Sequence, residues 1–347
     1  MATFHKVSIQ EVIKETADAV SLLFDIPGNL KSKFAFHSGQ YLTLKKTING
    51  KEVRRAYSIC SSPSDSYLKV AIKAVENGTF STYATTELKS GNFIEISEPE
   101  GKFILEPKPN KNYIAFAAGS GITPILSMVK DVLGNETTST FTLIYGNKTV
   151  ADTIFKAELD ALKEANPDRF NLHYICSREQ IEDSLFGRID KAHTNFYINN
   201  YKDTSFDAAY LCGPEAMINE VSATLIERGF TDENIHFELF TASITEDNVG
   251  QIKEGETEVT VLLDDEETTF TMSQTDDILA ATLRNDLDAP YSCQGGVCSS
   301  CMCKVTEGKA VMVKNAILTD SEIEEGLILA CQAYPTTPKI VIDFDDV

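Results

Sequence analysis

Cys293, Cys298 and Cys301 stand at C-x4-C-x2-C spacing near the C-terminus, and Cys331 follows at a distance. This spacing places four thiolates around a two-iron, two-sulfide cluster, a centre that passes single electrons. Gly295 and Gly296 lie between the first two thiols and are expected to let the backbone close tightly there. Structural zinc usually takes two compact C-x-x-C pairs, and Cys331 has no such partner. A disulfide framework suits short secreted chains, not an acidic one of 347 residues without a secretory signal. Cys303, two residues beyond Cys301, reads as a packing thiol, with reserve ligand as the alternative.

A second chemical signal is the turn running from Ala117 to Pro124. Gly119 and Gly121 allow close backbone approach, and Thr123 is expected to cap a helix with Pro124 at its first position. A helix N-terminus there attracts a pyrophosphate. The turn departs from G-x-G-x-x-G because Pro124 takes the place of the third glycine. Alone it is equally compatible with a strand-to-helix turn that binds nothing.

These motifs need elements to hold them. A length of 347 residues points to two or three domains, and no apolar stretch is long enough to span a membrane. The formal charge of −21, from 52 acidic and 31 basic residues, excludes nucleic acid as a partner. Residues 251–347 hold 19 of the acids and only 6 of the bases, which reads either as simple solubility or as a docking face for a basic redox partner. The N-terminus lacks the apolar core of a signal peptide, so the cytoplasm is the expected compartment. Short strand patterns around residues 18–24, 40–44 and 68–73 suggest an antiparallel barrel over 1–105. From Tyr113 the pattern becomes βαβ, with strands near 140–145, 171–176 and 208–212, a parallel-sheet nucleotide-binding domain over 106–240. Residues 241–257 read as a linker, and 258–347 as a third domain opening with a hairpin around an acidic turn at 264–267 and a helix from about Thr275. Cys60 and Cys176 lie in apolar strands and read as packing thiols.

Two further segments, Arg55 to Ile59 and Leu211 to Met217, complete a pattern. The chain resembles the ferredoxin–NADP reductase superfamily, in the subgroup with a C-terminal plant-type [2Fe–2S] ferredoxin domain. The resemblance implies an antiparallel Greek-key flavin-binding barrel, a parallel-sheet nucleotide domain and a β-grasp ferredoxin domain. It implies that Arg55 binds flavin phosphate, Tyr57 packs on the isoalloxazine, Ser58 sits near its N5, and Ile59 belongs to the same cofactor-binding segment. The stretch Gly78 to Thr82, with Ser81 and Thr82, matches the family's second phosphate-contacting segment. That implies FAD, with FMN as the alternative. Gly119, Gly121, Thr123 and Pro124 would face the nucleotide, with Cys212, Gly213 and Pro214 beside the nicotinamide; Cys212 would pack and position. Ser177 and Arg178 match a pair that grips the 2′-phosphate, which implies NADPH over NADH; the alternative is a plain surface arginine.

The cluster loop and its flanks are similar to the reductase subunits that serve phenylacetyl-CoA epoxidases. That likeness implies a flavin and iron–sulfur oxidoreductase that takes hydride from NADPH and passes electrons singly to a multisubunit di-iron oxygenase, with Ser58 and Cys212 as the residues at the reacting rings. A flavin is needed because nicotinamide gives two electrons together while the cluster accepts one. Alternatives are the reductase of a Rieske dioxygenase or of another iron-dependent hydroxylase. A different class altogether is an iron–sulfur sensor that no longer turns over.

Overall fold

The computed structural model describes residues 3–182, 184–240 and 246–347. They form two compact units, Phe4–Phe240 and a second holding the residues from 246 onward. Residues 241–245 of the expected linker lie outside the described residues.

The first unit begins with an antiparallel sheet of β1 (Phe4–Thr16), β2 (Ala19–Asp25), β3 (Tyr41–Ile48), β4 (Lys51–Ser58), β5 (Leu68–Lys73) and β6 (Phe93–Ser97), in the order β4-β3-β6-β1-β2-β5. β6 returns to lie between β3 and β1, the crossover of a Greek key. The sheet closes because the chain past β4 bridges to β5: Ile59 pairs with Val70, and the Cys60 N–H donates to the Lys69 carbonyl at 2.9 Å. Closure leaves no open edge between these strands. Leu22, Leu42, Val70 and Ile72 fill the interior, and α1 (Thr79–Thr86) drives Phe80 and Ala84 into it.

The same unit continues with a parallel sheet of β7 (Asn112–Ala118), β8 (Thr140–Asn147), β9 (Phe170–Cys176), β10 (Ala208–Gly213) and β11 (Ile235–Leu239), ordered β11-β10-β7-β8-β9. The connecting helices are α2 (Ile122–Asn135), α3 (Lys156–Ala165), α4 (Lys191–Asn200) and α5 (Glu215–Glu227). Ala115 and Ala117 of β7 share a core with α2 and α3, while Ile114 and Phe116 point the other way and are equally buried. The chain winds from β7 to β9 on one side, then returns to place β10 and β11 on the other. This reversal puts a topological switch point between the C-terminal ends of β7 and β10, where open α/β sheets bind ligands.

α2 starts earlier than expected. Gly119 takes a left-handed φ of 56°, Gly121 becomes the N-cap, and Thr123 falls inside the first turn, its hydroxyl donating to the Ser120 carbonyl at 3.0 Å. Thr123 is therefore not the cap. Pro124 is the third helical residue, still within the turn whose N–H groups have no helical acceptor.

The second unit holds α6 (Glu246–Val249), β12 (Glu256–Leu263), β13 (Glu266–Ser273), α7 (Ile278–Arg284), β14 (Met302–Glu307), β15 (Ala310–Met312), α8 (Asp320–Glu324), β16 (Leu327–Leu329), β17 (Ala333–Pro335) and β18 (Lys339–Asp343). Its sheet runs β13-β12-β18-β14-β16, with β12 and β18 parallel and the other pairs antiparallel; β15 and β17 form a small ribbon. α7 lies in the shared core, the β-grasp arrangement. Asp264 and Asp265, at φ 55° and 63°, make a two-residue hairpin turn, so Glu266 and Glu267 belong to β13 and not to the turn. α7 begins at Ile278, not near Thr275, because the Asp277 carboxylate accepts the Ala280 N–H at 2.8 Å. The expected linker also shortens: α6 is helical, Asn248 donates to the Met312 carbonyl at 2.8 Å, and β12 starts at Glu256. Among the described residues no helix is long and apolar enough to cross a membrane.

Candidate functional site

Alternation along β4 puts Arg55 and Tyr57 on one face and Arg54, Ala56 and Ser58 on the other. The two arginines therefore diverge. Arg54 is buried, pairs with Glu52 at 2.7 Å and lies over the Phe4 ring. Arg55 is half-buried, donates only to the Arg54 carbonyl, and makes no ion pair with a described residue. An unneutralised guanidinium beside an aromatic ring is a donor set that fits a flavin phosphate and ring. Tyr57 rests against Phe80 of α1, ring centroids 5.7 Å apart, and burial pushes its hydroxyl pKa up. Ile59 is fully buried in the barrel core and its N–H is held by the Gln40 carbonyl, so the structure presents no surface of this residue to a ring.

α1 starts at Gly78 without a side-chain cap, and a Cβ on Gly78 would lie 2.4 Å from Ser81 Oγ. Ser81 is buried and its hydroxyl is spent inside this turn, accepting the Val75 N–H and donating to the Gly78 carbonyl. Thr82 is exposed. Of the two expected hydroxyls, it is the one that faces outward.

At the switch point, a Cβ on Gly121 would stand 2.1 Å from the Cys212 carbonyl oxygen, so only glycine lets the β7 turn lie against the end of β10. A Cβ on Gly119 would meet nothing within 4 Å, and Tyr145 pins that turn by donating to the Gly119 carbonyl at 2.9 Å. The result is a rigid turn open on one side, with the first turn of α2 uncapped behind it, a cradle that fits a pyrophosphate. Gly213 and Pro214 lead into α5, Pro214 as its N-cap. Ser177 and Arg178 follow β9 at the same sheet edge. The Ser177 N–H donates to the Asn147 carbonyl at 3.0 Å; Arg178 is exposed, and its guanidinium makes no ion pair with a described residue.

Cys212 is fully buried, and burial with the Glu238 charge pushes its pKa well up, so it stays a neutral thiol. Glu238 is its register partner on β11, and Ser58 donates to Glu238 Oε2 at 3.3 Å. The structure thus brings Ser58 and Cys212 to one carboxylate that sequence reasoning missed. Glu238 lies 180 residues from Ser58. Only its place one strand from the Cys212 motif pointed to it.

In the second unit, β14 pairs with β16, Met302 opposite Leu329, which carries Cys301 to Cys331. The four thiols fall into two pairs: Cys298 Sγ is 3.1 Å from Cys293 Sγ, and the Cys301 thiol hydrogen-bonds Cys331. Among the described residues no three His, Cys, Asp or Glu side chains converge on a single metal ion. Two thiols at each of two points is the donor set of a two-iron cluster, not of zinc. The Cys298 thiol and the N–H groups of Gly295 and Val297 draw Cys293 down to about 7. The Cys301 thiol, with the Gly296 N–H, lowers the pKa of Cys331, while Cys298 and Cys301 are pushed up by their partners and by burial.

Only one of the two loop glycines is conformationally required. Gly296 has φ 73° and a Cβ there would lie 2.8 Å from the Lys314 carbonyl; Gly295 has no such constraint, and Gln294 takes the other left-handed position at 52°. Cys303 is fully buried in the domain core opposite Ile328, a packing thiol. Cys60 is also buried, its pKa pushed up to about 12, and donates to the Lys69 carbonyl; Cys176 is raised by burial.

Family comparisons match the same three regions. An oxidoreductase FAD-binding domain covers residues 6–104, an oxidoreductase NAD-binding domain 116–223, and a 2Fe-2S iron-sulfur cluster binding domain 261–336. The chain is 40% identical to a subunit of the 1,2-phenylacetyl-CoA epoxidase of Escherichia coli K12, over 99% of each chain. It is 31% identical to the ferredoxin reductase component of 3-ketosteroid-9-alpha-monooxygenase of Rhodococcus rhodochrous, over 97% of this chain and 96% of that one. In fold it is similar to phthalate dioxygenase reductase, with a TM-score of 0.65 at 24% identity, covering 98% of both chains. The three domains in this order and the end-to-end identity make the chain a member of the ferredoxin–NADP reductase superfamily, in the branch with a C-terminal [2Fe–2S] ferredoxin domain, an NAD(P)H-dependent oxidoreductase of the oxygenase-reductase kind.

Proposed function

We propose that this chain is the reductase component of a phenylacetyl-CoA epoxidase, moving electrons from NADPH through FAD and a [2Fe–2S] centre to a multisubunit di-iron oxygenase. The observation that carries the electron-transfer reading is the meeting of Ser58, from the flavin barrel, with Cys212 and Glu238 of the nucleotide sheet at the switch point. Two subdomains that hold different rings must meet where hydride crosses between them. Bound FAD supplies the chemistry that neither partner has, accepting two electrons together and releasing them one at a time.

The chain's own residues bind and align. Arg55 and the α1 start hold the flavin phosphates, and Tyr57 packs on its ring. The Gly119–Gly121 turn seats the nucleotide pyrophosphate, with Gly213 and Pro214 flanking it. Cys212, neutral and buried, supports the nicotinamide as a packing group rather than as a nucleophile. Ser58 and Glu238 form a hydrogen-bonded pair across the subdomain boundary that fixes the floor of the site. Cys293 with Cys298 and Cys301 with Cys331, already paired in the fold, would hold the cluster, which would supply a one-electron carrier. The preference for NADPH rests on Arg178, an exposed cation beside a serine at the nucleotide edge. A reducing cytoplasmic setting suits the four thiols outside the cluster, Cys60, Cys176, Cys212 and Cys303.

The choice of partner rests on the 40% end-to-end identity with the epoxidase subunit. A reconstituted, NADPH-driven epoxidation of phenylacetyl-CoA tests it: omitting this chain should abolish turnover, and undiminished turnover would reject the assignment. Running the assay in parallel with a 3-ketosteroid 9α-hydroxylase tests the second reading, which the 31% identity favours.

A further inference from the structure

Gln332 follows the last cysteine and is only 8% exposed. Burying a long amide side chain costs rotamer freedom and demands partners. Its Nε2 lies 2.7 Å from the Cys331 carbonyl, 3.1 Å from the Gln294 carbonyl and 3.8 Å from Cys331 Sγ. The amide is therefore wedged between the loop carrying Cys293 and the sulfur of Cys331. Its Cγ also lies 3.1 Å from where a Cβ on Gly296 would stand, so the loop closes directly onto this side chain.

We propose that Gln332 sets the potential of the cluster. This rests on Cys331 being a cluster ligand. Reduction adds one electron, supplied by the bound flavin, and part of the added negative charge falls on the ligand sulfurs. A donor amide facing one of those sulfurs stabilises the reduced form more than the oxidised form and raises the potential. Gln332 thereby makes the cluster a better acceptor for electrons leaving the flavin. Backbone donors such as the Gly295 N–H on Cys293 Sγ, at 3.3 Å, act in the same sense but cannot be removed by substitution.

The test is an anaerobic potentiometric titration of the full-length holoprotein, followed by the EPR signal of the reduced cluster, with iron and sulfide content measured in parallel. Gln332→Met keeps the side-chain length without a donor; Gln332→Glu keeps the shape and replaces the donor by a carboxylate. Both should retain the cluster and titrate at a lower midpoint than the parent. In Gln332→Met, ENDOR spectra compared in H2O and D2O should also lose an exchangeable proton coupling. A parent-like midpoint in a cluster-loaded variant would overturn the proposal. Loss of iron from both variants would overturn it too, making Gln332 a tether for the loop. A parent protein with no [2Fe–2S] signal would instead reject the cluster reading itself.

Discussion

Arg178 and Gly121 lie at the same sheet edge and fail in different ways when changed. Arg178 is exposed beyond β9, so Arg178→Ala removes a charge-assisted contact without disturbing the sheet. A hydrogen bond to a charged group contributes about 1.5–3 kcal/mol, so kcat/KM for NADPH should fall roughly 10- to 100-fold. The value for NADH should hold; an equal loss with both nucleotides would remove Arg178 from 2′-phosphate recognition. Gly121→Ala instead forces a Cβ to 2.1 Å from the Cys212 carbonyl, so the turn must move off β10. Stopped-flow reduction of the flavin by NADPH should drop by more than tenfold, while chemical reduction by dithionite is unaffected. Gly121 and the cluster thiols stood out because their types are rare answers to local problems: a glycine where a Cβ cannot fit, thiols at a metal spacing. Glu238 was not legible, since its meaning comes from Ser58 across the subdomain boundary. The outward hydroxyl of Thr82 and the spent one of Ser81 were indistinguishable until the turn that buries one of them was seen.

The elements of the first unit are locked together by a largely buried charge cluster. Lys69 of β5 pairs with Glu158 of α3 at 2.8 Å, Lys130 of α2 reaches Glu158 at 3.3 Å and Asp65 at 2.5 Å, and Ser127 of α2 donates to the Ser61 carbonyl at 2.6 Å. Lys69 and Lys130 are 6% and 11% exposed, so neither can turn to solvent if its partner is lost. Glu158→Gln should cost on the order of 3 kcal/mol, the scale for breaking a buried pair, read as a lower unfolding midpoint in urea. A midpoint within error of the parent would mean that the Glu158 pairs add nothing to the lock between barrel and sheet. β9 and α4 carry a different dependence. Burial, with the Lys163 charge, lowers the pKa of His173 to about 4, and the ring contacts Tyr197 and bonds the Tyr201 hydroxyl at 2.7 Å. The unfolded value is about 6.5. Above that pH both states are neutral; as pH falls from about 6.5 to about 4 the unfolded chain binds the proton first and the fold weakens, with no further loss below. Tm of His173→Phe should accordingly depend less steeply on pH across this window than Tm of the parent. β1, β6 and β11 did not stand out in the sequence, whereas strands such as β2, β5, β8 and β9 could be read from their apolar runs. Their order could not, because β6 entering between β3 and β1, and β18 between β12 and β14, are long-range pairings that no local pattern encodes. Thr123 misled for a related reason: its type suits a cap, but the Gly119 backbone turns the chain before reaching it.

Across the whole molecule, charge is divided as unevenly as chemistry. On the proposed route hydride enters at the first unit and single electrons leave from the second, whose residues from 251 onward carry a formal −13 of the total −21. An excess of this size on a small domain exceeds what solubility needs and creates a field that reaches a partner before contact. If the oxygenase presents a basic face, such a field would steer it toward the domain, and it would be screened once the Debye length shrinks to a few ångströms. The two halves of the reaction should therefore separate under salt. Raising ionic strength from about 0.05 M to about 1 M, where the Debye length is about 3 Å, should lower the second-order rate of electron transfer to the oxygenase by tenfold or more. Ferricyanide reduction, which needs no protein partner, provides the control for the flavin half. Its kcat at saturating NADPH should change far less, because the Gly119–Gly121 cradle and the Ser58–Glu238 pair are internal contacts. If both rates fall together, salt acts on the nucleotide or on the fold, and the acidic surface serves solubility alone. If neither falls, docking is apolar and the charge plays no part in finding the partner. Replacing Asp320, Glu322 and Glu324 of α8 by their amides would then localise a positive result, since that helix leads through β16 directly to Cys331. A smaller salt slope in that variant, with an unchanged ferricyanide rate, would place the docking field on the cluster side of the domain.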